Sequence, residues 1–319
     1  MKIHVALFAS FIMLMNLTSC ETIGIQNKMG NVGMLLPDTI DDQVWNSKGY
    51  KGLLNIASTH QVDVFYKEEV ETKAQMREAL DEFLSEDVTL VFGHGNIYAD
   101  FFSDLKNEYP SMDFVTFNGD AEGKDFTSFH FKGEAMGYFG GRIAAEMTET
   151  EHIGIIAAFP WQPEVDGFKR GALTQNPLVN VHIDFVDDWG DEDKAAAILS
   201  EFVQKGVDVF YPAGDGFNVP LIQEIKREGL YAIGYVADQI DLGQETILTS
   251  TVQDVERLYL IAAEQYSKNE LKTGNIYVDF DSGAILLGEF SPLVPEEFKA
   301  EITEAIKDYI ETGKLSETP

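Results

Sequence analysis

What constrains this chain most is an alternation that begins at residue 30. Short apolar and β-branched runs end in Gly, Asn or Asp, and helical runs follow them. Strands are expected at Val32–Leu36, Val62–Tyr66, Thr89–Phe92, Phe114–Phe117 and Ser128–Phe131, and again at Ile153–Ala158, Val181–Val186, Val207–Tyr211, Ala232–Val236 and Thr246–Thr251. Most are near-continuous apolar runs, the pattern of strands covered by helices on both faces. Between them lie amphipathic stretches such as Lys73–Leu84, Glu134–Met147, Lys194–Lys205 and Val219–Arg227. This alternation specifies an α/β fold, doubly wound, with mostly parallel sheets.

The chain has 319 residues, enough for one large domain or two lobes of about 110–150 residues each. A faint internal repeat favours two lobes. Leu80-Asp81-Glu82-Phe83 precedes Val88 and a strand ending at Gly93-His94-Gly95, and Leu199-Ser200-Glu201-Phe202 precedes Val207 and a strand ending at Gly214-Asp215-Gly216. The spacing from Leu80 to Val88 equals that from Leu199 to Val207.

Ligands of such sheets bind beyond the carboxyl ends of the strands. There the sequence places Pro37-Asp38-Thr39, Gly93-His94-Gly95, Asn118-Gly119-Asp120, Asp188-Trp189, Gly214-Asp215-Gly216 and Asp238-Gln239. Glycine admits close approach of a ligand to the backbone, Asn and Asp supply short hydrogen-bonding groups, and Trp supplies a flat face. Singly each is turn chemistry; together they outline a cleft.

The first residues read as a leader. Lys2 and His4 precede an apolar run from Val5 to Met15, the length of a signal-peptide core rather than a membrane span. Leu17-Thr18-Ser19-Cys20 follows, an aliphatic residue and two small ones before the chain's single cysteine. It matches the bacterial lipobox, in which the cysteine is diacylated and becomes the new N-terminus; two acyl chains anchor stably where one does not. A membrane-anchored, extracytoplasmic protein is expected, with residues 21–29 as tether. One cysteine also rules out an intramolecular disulfide.

With 23 basic and 54 acidic side chains the net charge is −31. Such a field repels nucleic-acid backbones, and no Lys/Arg cluster supplies a footprint, so direct nucleic-acid binding is not expected. There is no G-x-S-x-G elbow, Walker loop or G-x-G-x-x-G after the first strand, and the histidines lack metal-ligand spacing. Neither catalysis, nor a cofactor, nor a metal is expected. The acidic run Asp187–Asp193 reads as a solvated helix start rather than a calcium loop.

Several motifs resemble one family. Thr39-Ile40-Asp41-Asp42-Gln43-Val44-Trp45-Asn46, ending at Gly52, is similar to the opening motif of the basic membrane protein (BMP) family, solute-binding lipoproteins of ABC transporters, often for purine nucleosides. Phe131 to Gly141, Ala213–Gly216, Gly229 to Gln239, Thr249-Ser250-Thr251 and Ser291-Pro292-Leu293-Val294-Pro295 also fit, so the resemblance covers essentially the whole mature chain. It is strongest to the Med branch, described as positive regulators of competence.

The resemblance implies a two-lobed fold of the periplasmic-binding-protein type I, ribose-binding kind, with an ABC permease or another membrane protein as partner. It implies a leader over 1–19, a lipidated Cys20 and tether over 20–29, one lobe from 30–131 plus about 237–270, and the other from 132–236 plus about 271–319. Chain crossings are then expected near 131 and 237, with a third near 265–275. The aromatics that sandwich a nucleoside base in the family match Trp45 and Trp189. Asn46 is kept, the acid ending the fourth strand appears as Asn118, and a loop glycine as Gly216. The acids ending the first strand and gripping ribose align with Leu36 and Val236, leaving Asp38 and Asp238 nearby, and a lysine aligns with Gln253. The expected ligand contacts are Trp45, Asn46, Asn118, Trp189, Asp215, Gly216, Asp238 and Gln253. Loss of two carboxylates and a cation removes the strongest ribose contacts, so altered or lost ligand binding in a regulatory lipoprotein is the alternative.

Overall fold

The computed structural model describes residues 29–40 and 45–316. The leader, Cys20 and Asp41 to Val44 of the opening motif lie outside the described residues. The first half runs β1 (Asn31–Leu35), α1 (Trp45–His60), β2 (Val64–Lys67), α2 (Lys73–Ser85), β3 (Val88–Gly93), α3 (Ala99–Glu108), β4 (Asp113–Phe117) and β5 (Thr127–Phe131). The second runs α4 (Gly133–Met147), β6 (His152–Ala157), α5 (Pro163–Gln175), β7 (Asn180–Phe185), α6 (Glu192–Gln204), β8 (Val209–Ala213), α7 (Asn218–Arg227), β9 (Tyr231–Val236) and β10 (Ile247–Gln253). Then follow α8 (Val255–Ser267), β11 (Gly274–Val278), β12 (Ile285–Leu287) and α9 (Glu296–Thr312).

Among the described residues these strands form two six-stranded sheets, ordered β11-β5-β4-β3-β1-β2 and β12-β10-β9-β8-β6-β7. The first five strands of each half occupy the same places, all parallel. The lobes differ at the last strand: β11 is parallel to β5, whereas β12 is antiparallel to β10. All ten strands expected from sequence are present, and the fold is the two-lobed α/β architecture anticipated.

The sequence repeat falls on corresponding units, α2–β3 and α6–β8. In each, the helix drives a phenylalanine against a glycine of the lobe's first strand. A Cβ on Gly33 would lie 2.6 Å from the Phe83 ring, and one on Gly154 would lie 2.7 Å from the Phe202 ring. Phe83 and Phe202 head the buried clusters on the outer faces of the two sheets. The opposite faces, with α1, α4, α5, α8 and α9, share one continuous buried cluster.

Glycines also set the contact between α4 and α5. A Cβ on Gly137 would sit 2.1 Å from the Glu164 carbonyl oxygen, and one on Gly171 1.8 Å from that of Tyr138. The two backbones therefore touch with no side chain between them, a close approach that only glycine permits.

The boundary between lobes corrects the sequence expectation. The chain crosses first between Phe131, which ends β5 in the first sheet, and Gly133, which begins the helix leading to β6 in the second. It does not cross near 237: β10 pairs with β9 and stays in the second sheet, so the second crossing lies between Gln253 and Val255. The third lies beyond Val278, since β11 pairs with β5 in the first sheet, rather than at 265–275. The segment returned to the first lobe is thus α8–β11, with Asn55 of α1 donating to Glu256 of α8 at 3.0 Å. An edge strand can complete either sheet with the same apolar pattern, so the sequence does not mark the crossing. Two crossings are bonded together: Lys132 N–H donates to the Val278 carbonyl at 3.0 Å, and its ammonium lies 3.1 Å from the buried Asp279 carboxylate. Tyr309 of α9 donates to the same carboxylate at 2.5 Å.

Candidate functional site

On the first lobe, Trp45 begins α1 directly above the carboxyl ends of β3, β4 and β5. Its indole stacks on His94 (centroids 4.8 Å, 20°) and meets the edges of Phe117 and Phe131, both at 6.4 Å. His94 is fully buried, and Gly49, one turn along α1, makes room for it, since a Cβ there would lie 2.5 Å from the imidazole. Its Nε2 lies 2.9 Å from the Trp45 carbonyl and its Nδ1 2.8 Å from the Tyr259 hydroxyl of α8. Burial pushes its pKa down to about 4, against the smaller opposing effect of the Trp45 hydrogen bond. Asn46 is buried, and its Nδ2 donates to the Thr39 carbonyl at 3.0 Å, bracing the connection that carries Trp45. Asn118 is exposed at the end of β4 in the left-handed region (φ 57°), which Asn tolerates.

On the second lobe, Trp189 follows β7. It stands edge-on to Phe159 (5.4 Å, 67°) and to Trp161 (5.9 Å, 72°), which stack on each other at 5.3 Å and 14°. Gly216 lets the loop after β8 close on the Trp189 loop: its N–H donates to the Trp189 carbonyl at 3.0 Å, and a Cβ would lie 2.8 Å from Gly190 Cα. The acidic run acts as a helix start. Asp191 accepts from Lys194 N–H at 3.0 Å, and Asp187 pairs with the Lys194 ammonium at 2.7 Å. Asp238 is exposed and ties two loops of its own lobe, accepting from Glu289 N–H at 2.8 Å. Gln253 is buried at the end of β10, with Nε2 3.9 Å from Met136 Sδ.

Lys48, one turn into α1, reaches from the first lobe to the second. Its ammonium donates at 3.2 Å to the carbonyl of Val236, the last residue of β9. Burial lowers its pKa, and the charges of Asp254, Glu256 and Asp215 pull the other way. Val236 itself holds φ 64°, a region a β-branched residue rarely enters.

Of the residues expected from sequence, Trp45 and Trp189 stand at strand ends of opposite lobes, and Gly216 packs on the Trp189 loop. Asp215 lies near Lys48. Asn46 and Asp238 bond within their own lobes. Lys48, His94 in its bracing role, Phe159 and Trp161 were missed; the signal for the last pair was an aromatic after a strand end, as at Trp189. Among the described residues no group of three or more His, Cys, Asp or Glu is arranged to hold a metal, and no helix is long and apolar enough to cross a membrane.

Comparison with known proteins agrees with this architecture. A family model described as ABC transporter substrate-binding protein PnrA-like, Bmp, matches residues 29–318. The chain is 49% identical over 305 residues, 96% of each chain, to the transcriptional activator protein med of Bacillus subtilis. It is 25% identical over 261 residues to a purine-binding protein of Brucella abortus, covering 80% of this chain and 73% of that one. The crystal structure of a transcriptional activator of the comK gene from Bacillus halodurans superposes with a TM-score of 0.85 at 48% identity, covering 90% of this chain and 99% of the other.

Proposed function

Because this chain belongs to the Bmp family of PnrA-like ABC transporter substrate-binding proteins, we propose that it is a lipid-anchored extracytoplasmic receptor. It closes its two lobes on a small flat aromatic solute, nucleoside-like in class, and presents the closed form to a membrane permease. The observation that carries the reading is the placement of aromatic faces at the strand ends of both lobes, Trp45 on one and Trp189 with its neighbours on the other. Stacking supplies affinity without demanding one base. Closure is hinge motion driven by contacts made only in the closed state. The site works by binding and hydrogen bonding and has no role for a catalytic group. Cys20 supplies the anchor, and the charge of −31 opposes direct contact with nucleic acid.

A second reading has its own support. The relatives named above as transcriptional activators share almost half their residues with this chain over nearly its full length. Where the family places a ribose-gripping acid, Val236 instead offers a carbonyl that Lys48 occupies. A regulatory lipoprotein with altered or lost ligand binding, acting through a membrane partner rather than on DNA, fits both facts.

Thermal unfolding of the full chain in detergent, with adenosine, guanosine, inosine and adenine, separates the two. A ligand at 100 times its Kd adds about 2.7 kcal/mol, a rise of several degrees. A rise lost in Trp45→Ala supports the receptor. No rise with any probe, together with cross-linking to an envelope protein, favours the regulator.

A further inference from the structure

The chain has three tryptophans, Trp45, Trp161 and Trp189, and all three stand beyond the carboxyl ends of strands. The internal symmetry of the sheets relates two of them. β1 and β6 occupy the same place in the two strand orders. Trp45 lies on the connection from β1 to α1, and Trp161 on the corresponding connection from β6 to α5. Their surroundings match as well. The Trp45 indole is backed on one face by a near-parallel ring, His94 at 20°, and the Trp161 indole likewise by Phe159 at 14°. Trp189 has a different posture, at 67° and 72° to the two rings of that stack.

Exposure separates them further. Trp161 is 65% exposed and Trp189 40%. Phe159, Trp161 and Trp189 touch one another and form one exposed aromatic patch, the kind of contiguous apolar surface that marks a binding site, and Trp161 has the most apolar area in it to bury on ligand contact. The connection that presents it is fixed from below. Gln162, 3% exposed, accepts from the Phe159 N–H at 2.7 Å. Gln162 Nε2 in turn donates to the Ala213 carbonyl at 3.0 Å and to Glu164 Oε1 at 2.9 Å, and Tyr235 donates to that same oxygen at 2.8 Å. The platform is therefore ordered before any ligand arrives, which lowers the entropic cost of binding.

We propose that Trp161 is the stacking face of the second lobe, opposing Trp45 across the closed cleft, and that Trp189 is a side wall of the same pocket. This rests on the receptor reading above and changes which residue performs the stacking. A flat aromatic solute is captured first on Trp161, the more accessible face, and Trp45 closes on it.

The test is a fluorescence titration of the full chain in detergent micelles with adenosine, guanosine, inosine and adenine. The wild type is compared with Trp161→Ala, Trp161→Phe and Trp45→Ala, and with a Trp45→Phe/Trp189→Phe double variant in which only Trp161 emits. The expected result is an affinity at least tenfold weaker in Trp161→Ala, largely restored in Trp161→Phe, and a change in Trp161 emission on binding in the double variant. Wild-type binding that is lost in Trp45→Ala but unchanged in Trp161→Ala overturns the proposal and leaves the receptor reading standing. No binding of any probe by the wild type overturns both.

Discussion

His94 holds Trp45 twice, through its ring stacked on the indole at 4.8 Å and through its Nε2, 2.9 Å from the carbonyl of the same residue. A carbonyl only accepts, so Nε2 carries the proton, and Nδ1 accepts from the Tyr259 hydroxyl at 2.8 Å. The neutral imidazole satisfies both partners, and full burial of the ring disfavours the imidazolium. With the folded pKa lowered from 6.5 to about 4, the unfolded chain binds more protons between those values. The stability from neutral His94 is therefore full above about pH 6.5 and is lost as pH falls toward 4. Urea unfolding at pH 7 and pH 5 should show about 2 kcal/mol lost from this group. His94→Gln, which keeps a donor and an acceptor, should lose that part of the pH dependence. An unchanged pH profile in the variant would refute the assignment.

Lys48→Met keeps the apolar stem and removes the ammonium that bonds to the Val236 carbonyl at 3.2 Å. Small-angle scattering from the ligand-free variant should give a larger radius of gyration than wild type. Identical scattering curves would mean that this bond does not set the arrangement of the lobes.

The contact between α4 and α5 has an internal control. Gly171→Ala places a methyl 1.8 Å from the Tyr138 carbonyl oxygen and should destabilise by about 2–3 kcal/mol in denaturant unfolding. Gly140→Ala, on the same α4, meets Thr251 Cγ2 at an ordinary 3.4 Å. Helix propensity should make it neutral or stabilising by up to about 1 kcal/mol. Equal losses at both positions would show that the close backbone contact is not the cause.

Much of this was legible in sequence because buried parallel strands write continuous apolar runs. The ten strands announced themselves that way, and the Leu80/Leu199 repeat fell on matching units. β11 was silent because it is an edge: Tyr277 is 60% exposed and the run carries Asn275. β12 has three residues, too few for a period. Trp189 was visible as an aromatic after a strand, and Trp45 through the opening motif of the family. The partner that orders Trp45 was not, because the His94–Tyr259 bond joins residues 165 apart in sequence. Lys48 escaped for the same reason, its acceptor lying 188 residues away.

Val236→Asp restores a carboxylate at the end of β9, and Asp tolerates the φ of 64° better than Val does. Adenosine affinity by fluorescence titration should rise at least tenfold. A rise in folding stability without any gain in affinity would show that only the backbone conformation was relieved.

Cys20→Ala should abolish incorporation of labelled palmitate and release the protein from the membrane fraction. Labelling that persists in the variant would contradict the anchor at this cysteine.

The bonding of Lys132 to Val278 and Asp279 has a kinematic consequence. Two chain segments fastened side by side define a line, and bodies joined along a line retain one rotation. The remaining segment, between Gln253 and Val255, is tied to the chain that follows Asp279, with Asp254 N–H donating to the Ala284 carbonyl at 2.8 Å, and it limits the arc. In the proposed receptor, a solute arriving between the indoles would therefore change a single angle, and a membrane partner that distinguishes empty from filled would have one coordinate to measure.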